Sequence, residues 1–216
     1  MKILITAGPT HEAIDPVRFI GNRSSGKMGY ALANAFASLG HEVVLVSGPV
    51  QLTVESEGIQ LIRVESAQEM YQEVMEHQSS YNVAVMSAAV ADFSPVNTAQ
   101  EKIKKEEGRE DMVLQLRKTK DILASLGGLK TEGQSLVGFS LETNNEQENA
   151  LKKLKKKRAD LIVMNSLRDK GAGFGHDTNK VTLYGQNGFK KAFELMNKTQ
   201  LASLLVQEIL AFHQGK

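Results

Sequence analysis

The 216-residue chain contains no cysteine. That excludes disulfides, thiolate metal sites and redox-active thiols, and it fits a reducing compartment. The five histidines, His11, His41, His77, His176 and His213, form no pair at metal-ligand spacing, which argues against a zinc site. No apolar run approaches the length of a membrane span. Met1 and Lys2 lead straight into a short apolar strand, unlike the start of a signal peptide. Neither sign of charge dominates: the formal net charge is +1 at pH 7. The basic excess of a dedicated nucleic-acid binder is therefore missing. The expectation is a cytoplasmic protein that engages neither membrane nor nucleic acid. A hydrophobic content of 41% and a charged content of 24% are ordinary for a globular protein. The length suits one large domain, residues 1–216, with a sizeable core.

What is present is an alternation of strand and helix signals. Apolar runs at Ile3–Ala7, Val43–Val46, Ile59–Val64, Val83–Met86, Leu136–Phe139 and Leu161–Met164 read as buried strands. Between them lie helical patterns at Met28–Leu39, Ala67–His77, Ile122–Leu126 and Asn144–Arg158, and a last helix starts near Lys198. In the first helix Met28, Ala31, Leu32, Ala35, Phe36 and Leu39 share one face, and in the last Leu201, Leu204, Leu205, Ile209 and Phe212 do. Met112 to Arg117 alternates with a period of two, and Val181–Tyr184, Gln186–Gly188 and Phe189 onward read as a hairpin. The pattern predicts an α/β, Rossmann-like three-layer fold, a mostly parallel sheet flanked by helices, with a small flap or hairpin extension. Ligands bind such sheets beyond the carboxyl ends of the strands. That places residues 8–29, residues 87–93 and the turn after Phe139 on one edge.

The first of these stretches, GPTHEAIDPVRFIGNRSSGKMG, is a long loop ending at a helix start. Unpaired N–H groups and the helix dipole attract anions there. Ser24, Ser25 and Gly26 offer hydroxyl and backbone donors, and Arg18, Arg23 and Lys27 add charge. Three absences weigh against a dinucleotide oxidoreductase. No G-x-G-x-x-G joins the first strand to its helix. The second strand ends in Ser47-Gly48 rather than in an acidic residue for a ribose. None of Tyr30, Tyr71, Tyr81 and Tyr184 has a lysine four residues on. Gly26-Lys27-Met28 also lacks the glycine spacing and the Ser or Thr of a Walker A loop.

Three ordered stretches, Asp15 to Gly29, Ala88-Ala89-Val90-Ala91-Asp92-Phe93 and Lys102-Ile103-Lys104-Lys105, resemble phosphopantothenoylcysteine synthetase. Gly138-Phe139, Glu142-Thr143-Asn144 and Asp160–Asn165 match in the same order, so the resemblance spans nearly the whole chain. In many bacteria that domain follows a flavin-dependent decarboxylase; a chain opening on the ligase's first strand is expected to be the stand-alone form. The resemblance implies a CTP-dependent ligase of coenzyme A biosynthesis. The carboxylate of 4′-phosphopantothenate attacks the α-phosphate of CTP and releases pyrophosphate, and the amine of L-cysteine then displaces CMP from the acyl-cytidylate. Mg2+ accompanies the triphosphate through phosphate oxygens and water, with no protein ligand set visible. A homodimer is expected.

Residue by residue, the resemblance makes Asn22 the neutral donor to the acyl intermediate and Lys102 the cation near the phosphates. Lys102 lies in a polar run, Glu101 to Asp111, expected to close as a flap. Arg18 and Ala89 join Asn22 at the phosphopantothenate, Arg18 across the dimer interface. Asp92 receives the ribose hydroxyls, Met86, Ser87 and Ala88 offer backbone groups to the cytosine, and Phe139 lines the base pocket. Lys153 and Lys157, one turn apart on a helix, face the outer phosphates. Residues Lys120, Asp121, Ile122 and Leu123 meet the nucleotide, although Lys118-Thr119-Lys120-Asp121-Ile122 stands where the family often reads Lys-Asn-Pro-Asp-Ile. An ATP-using ligase of the same family, an NAD(P)-dependent oxidoreductase of similar architecture and a non-catalytic nucleotide-binding subunit remain as alternatives.

Overall fold

Short runs of Ile, Leu and Val, too brief for helices, can satisfy their backbone only by pairing with one another. The computed structural model describes residues 1–104, 111–142, 144–166 and 175–216. In chain order its elements are β1 (Lys2–Ala7), β2 (His11–Ala13), β3 (Phe19–Gly21), α1 (Lys27–Ser38), β4 (Glu42–Ser47), β5 (Ile59–Arg63) and α2 (Ala67–Glu76). There follow β6 (Val83–Met86), β7 (Phe93–Pro95), β8 (Leu116–Lys118), α3 (Ile122–Leu129), β9 (Ser135–Glu142) and α4 (Glu146–Lys156). The chain ends in β10 (Leu161–Ser166), β11 (Thr178–Gly185), β12 (Lys190–Asn197) and α5 (Lys198–Gln214).

Among the described residues eight strands form one sheet in the order β12-β11-β10-β9-β6-β1-β4-β5. The six strands from β10 to β5 are parallel, and β11 and β12 add an antiparallel hairpin at one edge. Numbered along the chain, the parallel strands lie as 3-2-1-4-5-6, the doubly wound order whose crevice opens between the first and fourth strands. Here those are β1 and β6, paired with Thr6 opposite Met86.

Side chains alternate across each strand, so one sheet feeds two cores. Ile3 and Ile5 pack with Leu32 and Phe36 of α1 and with Leu201, Leu205 and Ile209 of α5. Leu4 points the other way, into the layer of Met70 and Val74 from α2, Leu126 from α3 and Leu154 from α4. The three layers match the expected architecture. Two helix faces are rotated from the expected ones. Leu39 and Leu204 are exposed. The α1 stripe runs through Gly29, Leu32, Ala33 and Phe36, with Gly29 lying against Ala7 of β1.

The period-two stretch at Met112 contributes only the three-residue β8, and Met112 and Val113 are exposed. β8 pairs with β7, as β2 pairs with β3, in two small antiparallel ribbons outside the main sheet. No helix among the described residues is long and apolar enough to cross a membrane.

Gly29 sets the approach of α1 to the sheet. A Cβ there would stand 2.5 Å from the Ala7 Cβ and 2.7 Å from the Ser87 Oγ. Gly29→Ala must push the helix away and is expected to cost ~1–3 kcal/mol, the usual range for overpacking, measured by urea denaturation. An unchanged midpoint would show that the contact yields freely.

Candidate active site

Beyond the sheet, the chains leaving β1 and β6 keep running side by side. Pro9 and Ala89 form a parallel bridge. The Ala88 amide donates to the Thr6 hydroxyl (3.2 Å), the Ala89 amide to the Gly8 carbonyl (2.8 Å) and the Ala91 amide to the Thr10 hydroxyl (3.0 Å). The Ser87 hydroxyl donates to the Thr6 carbonyl at 2.6 Å. These bonds make the floor of a cleft of about 770 Å³ at the carboxyl ends of the parallel strands.

One wall is the start of α1. Its N-cap, Gly26, has φ of 76°, a left-handed conformation that suits glycine. No side chain caps this helix, whereas Ser66, Asp121 and Asn197 cap α2, α3 and α5. The helix therefore presents its N-terminus to the cleft beside Ser24, Ser25 and Lys27. The opposite wall is α3 and α4. Lys153 is half buried, and its ammonium donates to the Phe139 carbonyl at 2.7 Å. Desolvation pushes its pKa down, against the pull of Glu142, Asp121 and Asp92. Lys157 pairs with Asp121, which also accepts from the Ala124 amide at 2.9 Å. Burial pushes the Asp121 carboxyl up, but the Lys157 and Ala124 bonds outweigh it and hold it below the usual carboxylate range.

Of the residues that the resemblance places in the site, all but Arg18 and Lys102 line this cleft, and Arg23, expected to add charge at the helix start, does not. Asn22 reaches across it: its amide nitrogen donates to the carbonyls of Ala89 (2.8 Å) and Val90 (3.2 Å). Both amide hydrogens thus have partners, and donation to a substrate oxygen exchanges one of them. The Ala88 amide is already taken by the Thr6 hydroxyl. Asp92 is exposed, and its carboxylate makes no hydrogen bond among the described residues. Lys120 lies over the Tyr71 ring at 4.6 Å. Ile122 and Leu123 are buried under the first turn of α3, and Phe139 is half buried between core and cleft.

Arg18 sits elsewhere, in the turn before β3. It pairs with the buried carboxylate of Asp15 and donates to the Ile103 carbonyl at 2.9 Å. Asp15 also accepts from the Ile103 amide at 3.1 Å. The pair therefore fastens residues 101–104 to the β2–β3 ribbon, with Lys102 exposed in that segment. Residues 105–110, the greater part of the expected flap, lie outside the described residues, as do Lys105 and Thr143 of the resembling stretches.

Sequence reasoning missed the far end of the cleft, where Asn165, Asn179 and Lys198 line it. Asn165 ends a strand signal and Lys198 begins a helix signal. Asn165 stands at the carboxyl end of the parallel strand β10, Asn179 at the start of antiparallel β11 on the same edge, and β12 returns the chain there at Lys198. Among the described residues no group of three His, Asp or Glu side chains converges on a metal position.

The model of the DNA/pantothenate metabolism flavoprotein C-terminal domain matches residues 1–212. The chain belongs to that family. It is 46% identical over 209 residues to the coenzyme A biosynthesis bifunctional protein CoaBC of Bacillus subtilis (strain 168), a match covering 97% of this chain and 51% of the relative. A protein from an unknown prokaryotic organism, named cysteine/cysteine sulfinic acid decarboxylase, is 50% identical over 209 residues, 97% of this chain and 58% of that one. The chain thus spans little more than half the length of these curated relatives. The crystal structure of the C-terminal domain of CoaBC superposes with a TM-score of 0.83 at 40% identity, covering 100% of this chain and 96% of that chain. The matched residues run through the hairpin edge and into α5.

The Asp15 lock has a definite pH signature. The Arg18 guanidinium holds the Asp15 carboxyl well below the usual range, against the effect of burial and with help from the Val17, Ile103 and Arg18 amides. A depressed carboxylate pKa stabilises the fold above the unfolded value of 3.8, and the contribution is lost as pH falls from there through the lower folded value. Asp15→Asn is expected to speed hydrogen exchange at the Ile103 amide. The stability gap between wild type and Asp15→Asn should hold steady at neutral pH and shrink below about pH 3.8. A gap that stays constant into strong acid would remove Asp15 from this role.

Proposed function

We propose that this chain is a phosphopantothenate–cysteine ligase that uses CTP, a step of coenzyme A biosynthesis. The observation that supports it best is the cleft itself. An uncapped helix N-terminus, a desolvated lysine and a carboxamide held across the opening meet at the switch point of a doubly wound sheet. The family and the coenzyme A biosynthesis relatives point the same way.

A carboxylate is inert to amines until its oxygen is made a leaving group. In this reading the substrate carboxylate attacks the α-phosphorus and the bond to pyrophosphate breaks. The cysteine amine then adds to the acyl carbon, and CMP leaves as the amide forms. Such steps depend on positioning and charge stabilisation. Backbone amides at Gly26 and the hydroxyls of Ser24 and Ser25 would hold phosphates. Lys153 and Lys157 would neutralise the outer ones, and Asp92 would accept the ribose hydroxyls. Mg2+ would ride on the phosphate oxygens. Lys102 would act once its segment closes. Asn22 would turn one amide hydrogen from the Ala89–Val90 carbonyls to the acyl oxygen.

Arg18 and Lys102 lie outside the cleft of their own chain, and Val17 (61% exposed) and Phe19 (52% exposed) stand beside Arg18 with Phe93, Val96 and Leu116 nearby on the ribbons. A second copy covering this apolar edge would bring the arginine toward its partner's cleft, which supports a homodimer. Light scattering tests that: Phe19→Asp with Leu116→Asp should yield monomers, and an unchanged mass would locate any dimer elsewhere.

The decisive assay follows 4′-phosphopantothenate, cysteine and magnesium by mass spectrometry with CTP or ATP. Phosphopantothenoylcysteine and CMP from the CTP reaction are expected. Product with ATP alone would keep the ligase and overturn the cytosine contacts. Carbon dioxide release from cysteine without amide would favour the activity for which one relative is named. In the same assay Asn22→Asp should accumulate acyl-cytidylate with turnover down about 10²–10³-fold, the effect of losing one oxyanion donor. Normal turnover would sink the assignment.

A further inference from the structure

The two lysines at the α1 end of the cleft come from opposite ends of the chain. Lys27 opens α1 and Lys198 opens α5, and both line the cleft. Lys198 is only 8% exposed, with its ammonium on the His176 carbonyl at 2.5 Å and its amide on the Asp177 carbonyl at 2.9 Å. Lys27 pairs with the Asp177 carboxylate at 2.5 Å. That pair is open to water, its side chains 43% and 82% exposed. Burial depresses the Lys198 pKa, Lys27 depresses it further and Asp177 opposes both. In turn Lys27 holds the Asp177 carboxyl below its usual range. Two like charges are thus gathered at an uncapped helix start, and the Asp177 carboxylate, on a solvent-exposed side chain, pairs with one of them. An exposed ion pair of this kind is weak, too weak to resist a ligand of higher negative charge.

We propose that Asp177 is an internal counterion that occupies Lys27 until a polyphosphate displaces it, and that Lys198 is a positioning residue for the polyphosphate tail of the nucleotide. This rests on the nucleotide reading above and deepens it. The site combines a helix N-terminus with a buried cation, so it selects chains of phosphate over single anions. Asp177 weakens the resting affinity and frees the product pyrophosphate by returning to Lys27.

The probe is inorganic pyrophosphate, titrated calorimetrically into magnesium-free protein. Wild type is expected to bind it more tightly than orthophosphate. Asp177→Asn removes the competitor and should tighten pyrophosphate binding about two- to fivefold, the equivalent of the exposed pair. Glu57→Gln removes the same charge from an exposed turn before β5 and should change little. Lys198→Met should weaken binding by at least tenfold, with Lys198→Arg recovering part. Because Lys198 is buried, thermal unfolding checks that variant, and Lys27→Gln, on the exposed side, should weaken binding without loss of fold.

Pyrophosphate affinity that is unchanged or weakened in Asp177→Asn overturns the counterion role. Affinity unchanged in both folded lysine variants overturns the positioning role. Absence of millimolar binding by wild type overturns both. Ligase turnover with these pyrophosphate results sinks this inference alone. Pyrophosphate bound as expected, without amide formation, sinks the ligase and leaves the polyphosphate site.

Discussion

Two strands that keep pairing after the sheet has ended hold this site together. At the switch point of a doubly wound sheet, the chains leaving neighbouring strands turn to opposite faces, and their backbone groups lose the ladder. Here the loss is made good by two hydroxyls and a backbone carbonyl of β1 and its extension. The hydroxyls of Thr6 and Thr10 take the amides of Ala88 and Ala91, and Gly8 takes Ala89. Each such bond contributes roughly 0.5–1.5 kcal/mol. Their larger effect is geometric. They fix the carbonyls of Ala89 and Val90, and those carbonyls hold Asn22 across the cleft. The close approach of α1 through Gly29 to Ala7 and Ser87 then places Ser24–Lys27 opposite. Three segments distant in sequence thereby share one frame.

Charge in that frame is arranged so that most cations are already engaged, but weakly. Lys153 has a carbonyl, a neutral dipole, where an anion would serve better. Lys157 has a carboxylate that doubles as a helix cap. Lys27 has an exposed aspartate. Burial lowers the Lys153 pKa against the pull of nearby carboxylates, and an anion that joins a desolvated lysine favours its charged form. The cleft therefore favours polyanions without binding them through a fixed cage, and the exchange of partners on Lys27 and Asn22 belongs to the same pattern.

Much of this was legible in the sequence. The six apolar runs and their alternation with helices imply the parallel sheet, and the parallel sheet implies which loops meet. The glycine and serine cluster before α1 marks the anion end. What stayed hidden obeys local rules too weak to read. The ribbons β2–β3 and β7–β8 are three residues per strand, below the length at which a period of two can be recognised. The α1 face was shifted because Gly29 and Ala33 join Leu32 and Phe36 on the buried side, and small residues carry little apolar signal. Lys198 reaches the cleft only because β12 returns the chain to the edge where β11 began, a long-range fact with no local signature. Arg18 shows the opposite case: its type suggests a ligand, yet within its own chain a buried aspartate claims it.

The Lys118–Ile122 turn shows how the frame absorbs a change in sequence. A proline at position 120 would restrict the unfolded chain and so add ~0.4–1 kcal/mol of stability. Without it the turn is fixed from outside. The Thr119 amide donates to the Asp92 carbonyl at 3.0 Å and its hydroxyl to the Ala91 carbonyl at 2.7 Å. Lys157 holds Asp121, and Ile122 and Leu123 are buried beneath it. At ~0.5–1.5 kcal/mol per hydrogen bond, the two threonine bonds alone offset the missing ring. They also do what a ring cannot, since they tie the turn to the Ala91–Asp92 segment. The position of the turn against the cleft therefore follows Asp92 and the strand extension rather than a local dihedral preference. Lys120, relieved of a backbone role, is left with its ammonium over Tyr71 at the lip.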